Sequence, residues 1–256
     1  MFISTKKILS QNRVVPAFNF STAEVARAIV EACEKLGQDV ILQTSMSEAE
    51  FLGLELAVGM VRALGEKSKI SVSLHLDHAR NLEIIKEALV AGYTSVLADG
   101  SAMNFEESVE FVKGTKGIKG VKDVVVEASL TEFERAAELV EKTKPDLLAP
   151  FVIRNGRDRT EIAEVGRVAQ MVKTPLVLHN SSSKSDEEIK EAIAAGVVKI
   201  NWNTCLREAW AKSLRETLNS NPEEIKPYHI LKPSVEAVKK VVEEKIGLLQ
   251  MNNVKW

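Results

Sequence analysis

Eight times along the chain a short run rich in Val, Ile and Leu gives way to a helical pattern, and this alternation constrains the fold more than any other feature. The predicted strands are VVPAFNF (14–20), DVILQTS (39–45), ISVSLHLDH (70–78), TSVLADG (94–100), DVVVEAS (123–129), DLLAPFV (146–152), PLVLHNS (175–181) and VVKINWNT (197–204). Amphipathic stretches such as STAEVARAIVEACEKLG and SDEEIKEAIAAG run between them. Ser21 with Glu24, and Ser185 with Glu188, have the spacing of capping boxes, and Gly196 stands where a helix stops. Parallel neighbours need a crossover helix. Eight such units close a (β/α)8, or TIM, barrel. The competing open sheet carries a glycine-rich turn after its first strand, and AFNFSTAE has none. The expected organisation is one barrel domain over 1–256, with 206–256 forming extra C-terminal helices packed on the barrel. The tail after 220 could equally be an interaction arm.

A chain of 256 residues suits one such barrel, and 45% apolar with 27% charged residues suits a sizeable core in a soluble protein. A net charge of -2 gives no global footprint for nucleic acid or an anionic membrane. The apolar runs are too short to span a bilayer. The start MFISTKKILSQNR has no apolar core of a secretion signal. Cys33 and Cys205 are no disulfide framework and are expected to be reduced, cytoplasmic thiols.

Chemistry in such a barrel sits at the C-terminal ends of the strands. The third strand ends in His75, Asp77 and His78, and the chain has only four histidines. Polar residues recur at the other ends: Asn19, Gln43 and Ser45, Asp99 and Ser101, Glu127 and Ser129. Asn155, His179 with Ser181 to Ser183, and Asn201, Asn203 and Thr204 complete the ring. His78 and His179, on two strand ends beside an acid, point to a divalent metal, because catalytic zinc sites take three protein ligands and keep one position open. Asp77 then serves as a partner to His78 or as a general acid/base. The alternative reading of each is a hydrogen-bonded residue at a barrel rim. His75 lies on the opposite strand face from His78 by simple alternation and is taken as structural.

The segments VPAFNF, VILQTS, LHLDHARNLEIIKEALVAGYTSVLADGSAMNFEES, PLVLHNSSS with DEEIKEAIAAGVVKINWNT, and ILKPSVEAVKKVVEEKI together resemble class II, metal-dependent ketose-bisphosphate aldolases, and the match runs in order over nearly the whole chain. The resemblance implies a lyase that cleaves fructose- or tagatose-1,6-bisphosphate-type ketoses through a zinc-stabilised enediolate, usually as a homodimer or larger oligomer. It implies Asp77 as general acid/base, and His78 and His179 as zinc ligands. Glu127 becomes a ligand to a second or displaced metal, and Ser182 a phosphate contact. Asn19, Ser45, Asn201, Asn203 and Thr204 become substrate contacts.

The chain departs from that pattern in three places. Asn155 stands where the family has a third histidine ligand, and an amide is a poorer zinc ligand than imidazole. The expected metal is therefore weakly held zinc, or another divalent ion in its place. Asn180 and Ser183 replace phosphate-loop glycines; Asn tolerates the left-handed region, Ser less so. The long loop after the fifth strand is missing, since EASLTEFERAAELV runs almost directly into a helix. Arg154, Arg157 and Arg159 could supply lost phosphate contacts or a solvated rim. Lys199 allows a Schiff-base mechanism as a further alternative. A catalytically silent protein that binds a sugar phosphate, or acts as a structural partner, is the alternative to an enzyme.

Overall fold

The computed structural model describes residues 1–11, 13–118, 123–154, 157–159 and 161–251. Its strands are β1 (Val15–Asn19), β2 (Val40–Ser45), β3 (Val72–Ala79), β4 (Ser95–Ala98), β5 (Val125–Leu130), β6 (Leu147–Pro150), β7 (Val152–Arg154), β8 (Arg157–Arg159), β9 (Leu176–Leu178) and β10 (Val197–Trp202). The helices are α1 (Thr5–Leu9), α2 (Ala23–Lys35), α3 (Met46–Leu52), α4 (Leu54–Lys67), α5 (Leu82–Ala91), α6 (Phe105–Lys116), α7 (Ala136–Thr143), α8 (Ile162–Met171), α9 (Asp186–Ala194), α10 (Thr204–Ser220), α11 (Pro227–Ile230) and α12 (Lys232–Met251).

Eight strands close a parallel barrel in the order β1-β10-β9-β6-β5-β4-β3-β2. This is the TIM barrel that the alternation predicts. Two apolar layers explain why it closes. Inside the barrel pack Val15, Ala17, Ile41, Leu97, Val125, Leu147, Ala149 and Val177, and α1 seals the lower end with Ile8 and Leu9. Side chains of opposite parity, such as Leu42, Leu74, Leu76, Val96, Val126 and Leu148, meet the helices outside. Burial on both faces is why these strands read as continuous apolar runs. Along the inward face several strands, β1, β2, β4 and β5 among them, turn from apolar to polar as they rise to the mouth, so the same period of two that builds the core also aims the polar residues.

The predicted Ser185–Glu188 capping box forms at α9. The predicted Ser21–Glu24 box does not: α2 begins one residue later, with Thr22 at the N-cap and no side-chain capping bond. Thr22 Oγ1 is instead buried with no hydrogen-bond partner among the described residues. β5 passes through a single 3-10 turn, Phe133–Arg135, into α7, so no long loop stands there. β7 and β8 form an antiparallel hairpin outside the barrel, where the sequence reading extended one strand to residue 152. Residues 155 and 156, between them in sequence, lie outside the described residues; Asn-Gly is a hairpin signal at the level of sequence. α12 packs on α10 and α2, with Val238, Val242 and Ile246 fully buried. That makes it part of the core, not a free arm.

Candidate active site

The site grows out of β3. His75 and Asp77 are two residues apart and share the inward face. Strict alternation would turn His78 outward, but His78 adopts φ +56° and the β3–β4 register shifts between Leu76 and Ala79. This bulge swings the His78 ring toward the mouth. Its centroid lies 5.1 Å from that of His179 at the end of β9. Ligand atoms of Asp77, His78 and His179 lie within 4.8 Å of one another.

Each imidazole has a carboxylate behind it. His78 Nδ1 meets Asp99 Oδ2 at 2.8 Å, which leaves His78 Nε2 on the side of Asp77 Oδ1, 3.8 Å away. His179 Nε2 meets Glu127 Oε1 at 2.9 Å and Asn201 Nδ2 at 3.2 Å. Phe151 stacks on His179, with centroids 5.0 Å apart, and walls the site. Burial alone would raise the pKa of Asp99; the His78 contact outweighs it and holds the group down to about 2. Burial opposes a charged His78, yet Asp77 and Asp99 raise its pKa above the ordinary value.

Below the mouth lies a buried charge network. Lys199 is 0% exposed, and its Nζ donates to Glu127 Oε2 at 2.8 Å. Burial alone would raise the pKa of Glu127; Lys199 and His179 outweigh it and hold the carboxylate ionised, well below the usual carboxylate range. His75 bonds Ser95 Oγ through Nδ1 at 2.9 Å and lies 3.5 Å from Lys199 through Nε2. Burial first, then Lys199, keeps its pKa well below the usual value. His75 thus shares the inward face with Asp77, and its partners are side chains of the barrel interior.

A divalent cation fits these residues. Asp77 Oδ1 is buried with no hydrogen-bond partner among the described residues, as are Gln43 Oε1 and Asn201 Oδ1. An unpaired buried carboxylate oxygen is costly, and two imidazoles plus carboxylate suit zinc or a similar ion. Both Glu127 oxygens are engaged by His179 and Lys199, so a second-metal role would require it to exchange one of those contacts. Asn155 lies outside the described residues.

The remaining sequence candidates divide. Asn19 is buried and joins Gln43 to Glu48. Ser45 caps α3 in a reciprocal box with Glu48. Ser182, on the 3-10 turn Ser181–Ser183, shares its hydroxyl with Cys205. Asn180 just before it takes φ +53°, the left-handed backbone that glycine would supply. Asn203 stands at the N-cap of α10 without a side-chain capping bond and reaches Glu48 instead, and Thr204 is exposed at the first turn. Sequence reading gave Asp99 and Gln43 no role and missed Glu48; only their places near strand ends hinted at them.

Comparison with known proteins bears on the family and the fold. The family described as "Fructose-bisphosphate aldolase class-II" matches residues 4–254. The fructose-bisphosphate aldolase of Thermus caldophilus is 32% identical over 299 residues, covering 97% of this chain and 98% of that protein. That alignment is longer than this chain, so the relative carries segments absent here. Among solved structures, the YdjI aldolase of Escherichia coli K12 superposes with a TM-score of 0.83 at 29% identity over 100% of both chains. The fructose-bisphosphate aldolase of Campylobacter jejuni shares the fold, with a TM-score of 0.83 at 20% identity over 97% of this chain and 95% of that one. By its sequence over nearly its whole length and by its barrel, the chain belongs to the class II fructose-bisphosphate aldolases, an aldehyde-lyase family.

Proposed function

We propose that the chain catalyses reversible aldol cleavage of a phosphorylated ketose, the substrate type that fructose- and tagatose-1,6-bisphosphate represent, with a divalent cation on His78 and His179. The observation that carries this is the Asp77, His78 and His179 cluster at the mouth, whose Asp77 Oδ1 has no hydrogen-bond partner among the described residues. A bound cation, zinc first among candidates, would supply Lewis-acid stabilisation of charge on the ketone oxygen.

The chain's own residues do the rest. Asp99 orients His78, while Glu127 and Asn201 orient His179. In the cleavage direction Asp77 takes the proton from the hydroxyl on the carbon that leaves as an aldehyde. The C–C bond breaks, and its electron pair stays with the triose phosphate fragment until that carbon is protonated. Ser182, Asn201, Asn203 and Thr204 are assigned to substrate and phosphate on the strength of the family resemblance, as are Asn19 and Ser45. Asn155 is the sequence candidate for a third, weaker ligand, and Glu127 for a displaced ion. With two imidazoles and one amide, other divalent ions compete with zinc more easily. A homodimer or larger assembly in the cytoplasm completes the reading.

Metal analysis of the purified protein, followed by cleavage assays on fructose and tagatose phosphates, tests it. Asp77→Ala is expected to lower kcat by about 100-fold or more while metal content holds. Loss of the metal in that variant would make Asp77 a ligand instead. A protein that binds no divalent cation through His78 and His179 would overturn the proposal.

A further inference from the structure

A cleft beside the metal cluster is built around a carboxylate. Its floor is Glu48, 5% exposed. Glu48 Oε2 accepts from Asn19 Nδ2 at 2.8 Å and from the Ser45 N–H at 2.7 Å. Glu48 Oε1 accepts from Arg207 and, at 3.5 Å, from Asn203 Nδ2. Gln43 joins this floor to the proposed acid/base. Its Nε2 donates to Asn19 Oδ1 at 2.7 Å and lies 3.4 Å from Asp77 Oδ2. The cleft is open to solvent, with a cavity volume of about 60 Å³. Thr22 and Trp210 line it, and Thr22 Oγ1 and Trp210 Nε1 are both buried without a hydrogen-bond partner among the described residues.

We infer that this cleft receives an uncharged, hydroxyl-bearing end of the substrate, so that the chain handles ketose monophosphates in preference to bisphosphates. The inference rests on the aldol reading above and narrows its substrate class. Among the described residues lining the cleft, Arg207 is the one cation and Glu48 the one anion, so this lining carries no net charge for a phosphate dianion. Turning Arg207 onto a phosphate would strip a buried carboxylate of its counter-ion, which is strongly unfavourable. It would also set that carboxylate beside a second anion, and like-charge juxtaposition costs several kcal/mol. Hydroxyl groups meet no such conflict. Each both donates and accepts, so it can pair with the indole N–H, the Thr22 hydroxyl and the outer N–H groups of Arg207. Arg207 is 57% exposed, which leaves those groups free to do so.

The test uses the full-length, metal-loaded protein and two measurements. The first is deuterium exchange into dihydroxyacetone phosphate in heavy water. It needs no aldehyde and examines the aldol reading alone. The second is condensation of dihydroxyacetone phosphate with glyceraldehyde or with glyceraldehyde 3-phosphate, each as both enantiomers. The new C–C bond joins the triose carbon to the aldehyde carbon, and the aldehyde oxygen takes up a proton. Exchange is expected, with kcat/KM for the unphosphorylated aldehyde about 10-fold or more above that for the phosphorylated one. Glu48→Gln and Glu48→Ala should each move that ratio about 10-fold or more toward the phosphorylated aldehyde, because Arg207 is released. Glu48→Gln keeps the shape of the floor, and the wild-type ratio stands without either variant. Exchange together with a wild-type preference for the phosphorylated aldehyde overturns the inference. So does a ratio that neither variant moves. Absence of exchange sinks the aldol reading, and the inference with it.

Discussion

Asp99 fixes His78 through a buried contact, and that contact has consequences in two readouts. With Nδ1 held at 2.8 Å, the ring presents Nε2 to the cluster. Loss of such an orienting carboxylate costs about 10–100-fold in metal affinity. Asp99→Asn is therefore expected to weaken zinc binding by about that factor in a chelator-buffered titration. The same contact ties Asp99 to acid stability. Its folded pKa, about 2, lies below the ordinary value of 3.8. The stabilisation is thus fully present above about pH 4 and is lost as pH falls toward 2. Metal-free Asp99→Asn should lose less stability than wild type between pH 4.5 and 2.5 in denaturant titrations. Equal losses would show that the contact does not act on folding.

Lys199 carries the other strong residue-scale expectation. It is the buried counter-charge of Glu127, and removing one partner of such a pair costs about 3–5 kcal/mol. Lys199→Met should lower stability by that order, and Lys199→Met with Glu127→Gln should recover a large part of it. Chemical denaturation of the two variants checks this. A chain that reacted through a Lys199 Schiff base would instead be trapped by borohydride with substrate. At this scale the sequence was legible where period and spacing decide, as for Asp77 and His179 at strand ends. It was not legible where tertiary contacts decide. The left-handed His78 breaks the alternation that placed it, and the pairings Glu48–Arg207 and His78–Asp99 join residues 159 and 21 positions apart.

At the scale of elements, the junction between β4 and α6 is the tightest. A Cβ on Gly100 would stand 2.3 Å from Ser108 Oγ and 2.7 Å from Ser108 Cβ. Gly100 lets the strand end approach the helix, and its N–H donates to Ser129 Oγ on β5 at 2.9 Å. Gly100→Ala should cost about 1–3 kcal/mol, the usual penalty of overpacking. Adding Ser108→Gly removes both clashing atoms and should return part of the loss, beyond its own helix penalty of about 1 kcal/mol. A double-mutant cycle by thermal denaturation reads the coupling, and simple additivity would refute the steric account. Elements were the most legible part of this chain, because two-sided burial writes β strands as apolar runs. Their ends were less so. The strand predicted over 175–181 stops at Leu178, and the residues beyond it turn through Asn180 into a 3-10 helix. Thr22, not Ser21, occupies the N-cap position of α2, without a side-chain capping bond, since where the chain enters a helix depends on what the strand before it packs against.

For the whole molecule, the question is what the C-terminal helices do once the barrel is closed. α12 is committed to the barrel: its apolar face is buried against α2 and α10, and Lys35–Glu243 and Lys239–Glu31 pairs flank the contact. The segment before it is different. Leu218 on α10, Ile225 between the helices and Tyr228 on α11 are large apolar side chains at 44%, 84% and 68% exposure within eleven residues of sequence. Scattered exposed apolar residues are ordinary, whereas several in one short segment mark a contact surface. With the oligomeric habit implied by the family resemblance, the expected occupant is a second copy of this chain. Sedimentation at micromolar concentration should then show a dimer or larger species. Ile225→Glu with Tyr228→Glu should shift it toward monomer, while thermal stability of the monomer holds because neither side chain belongs to the buried core. A wild type that sediments as a monodisperse monomer would remove the assembly altogether. A double variant that stays associated would move the interface away from α11.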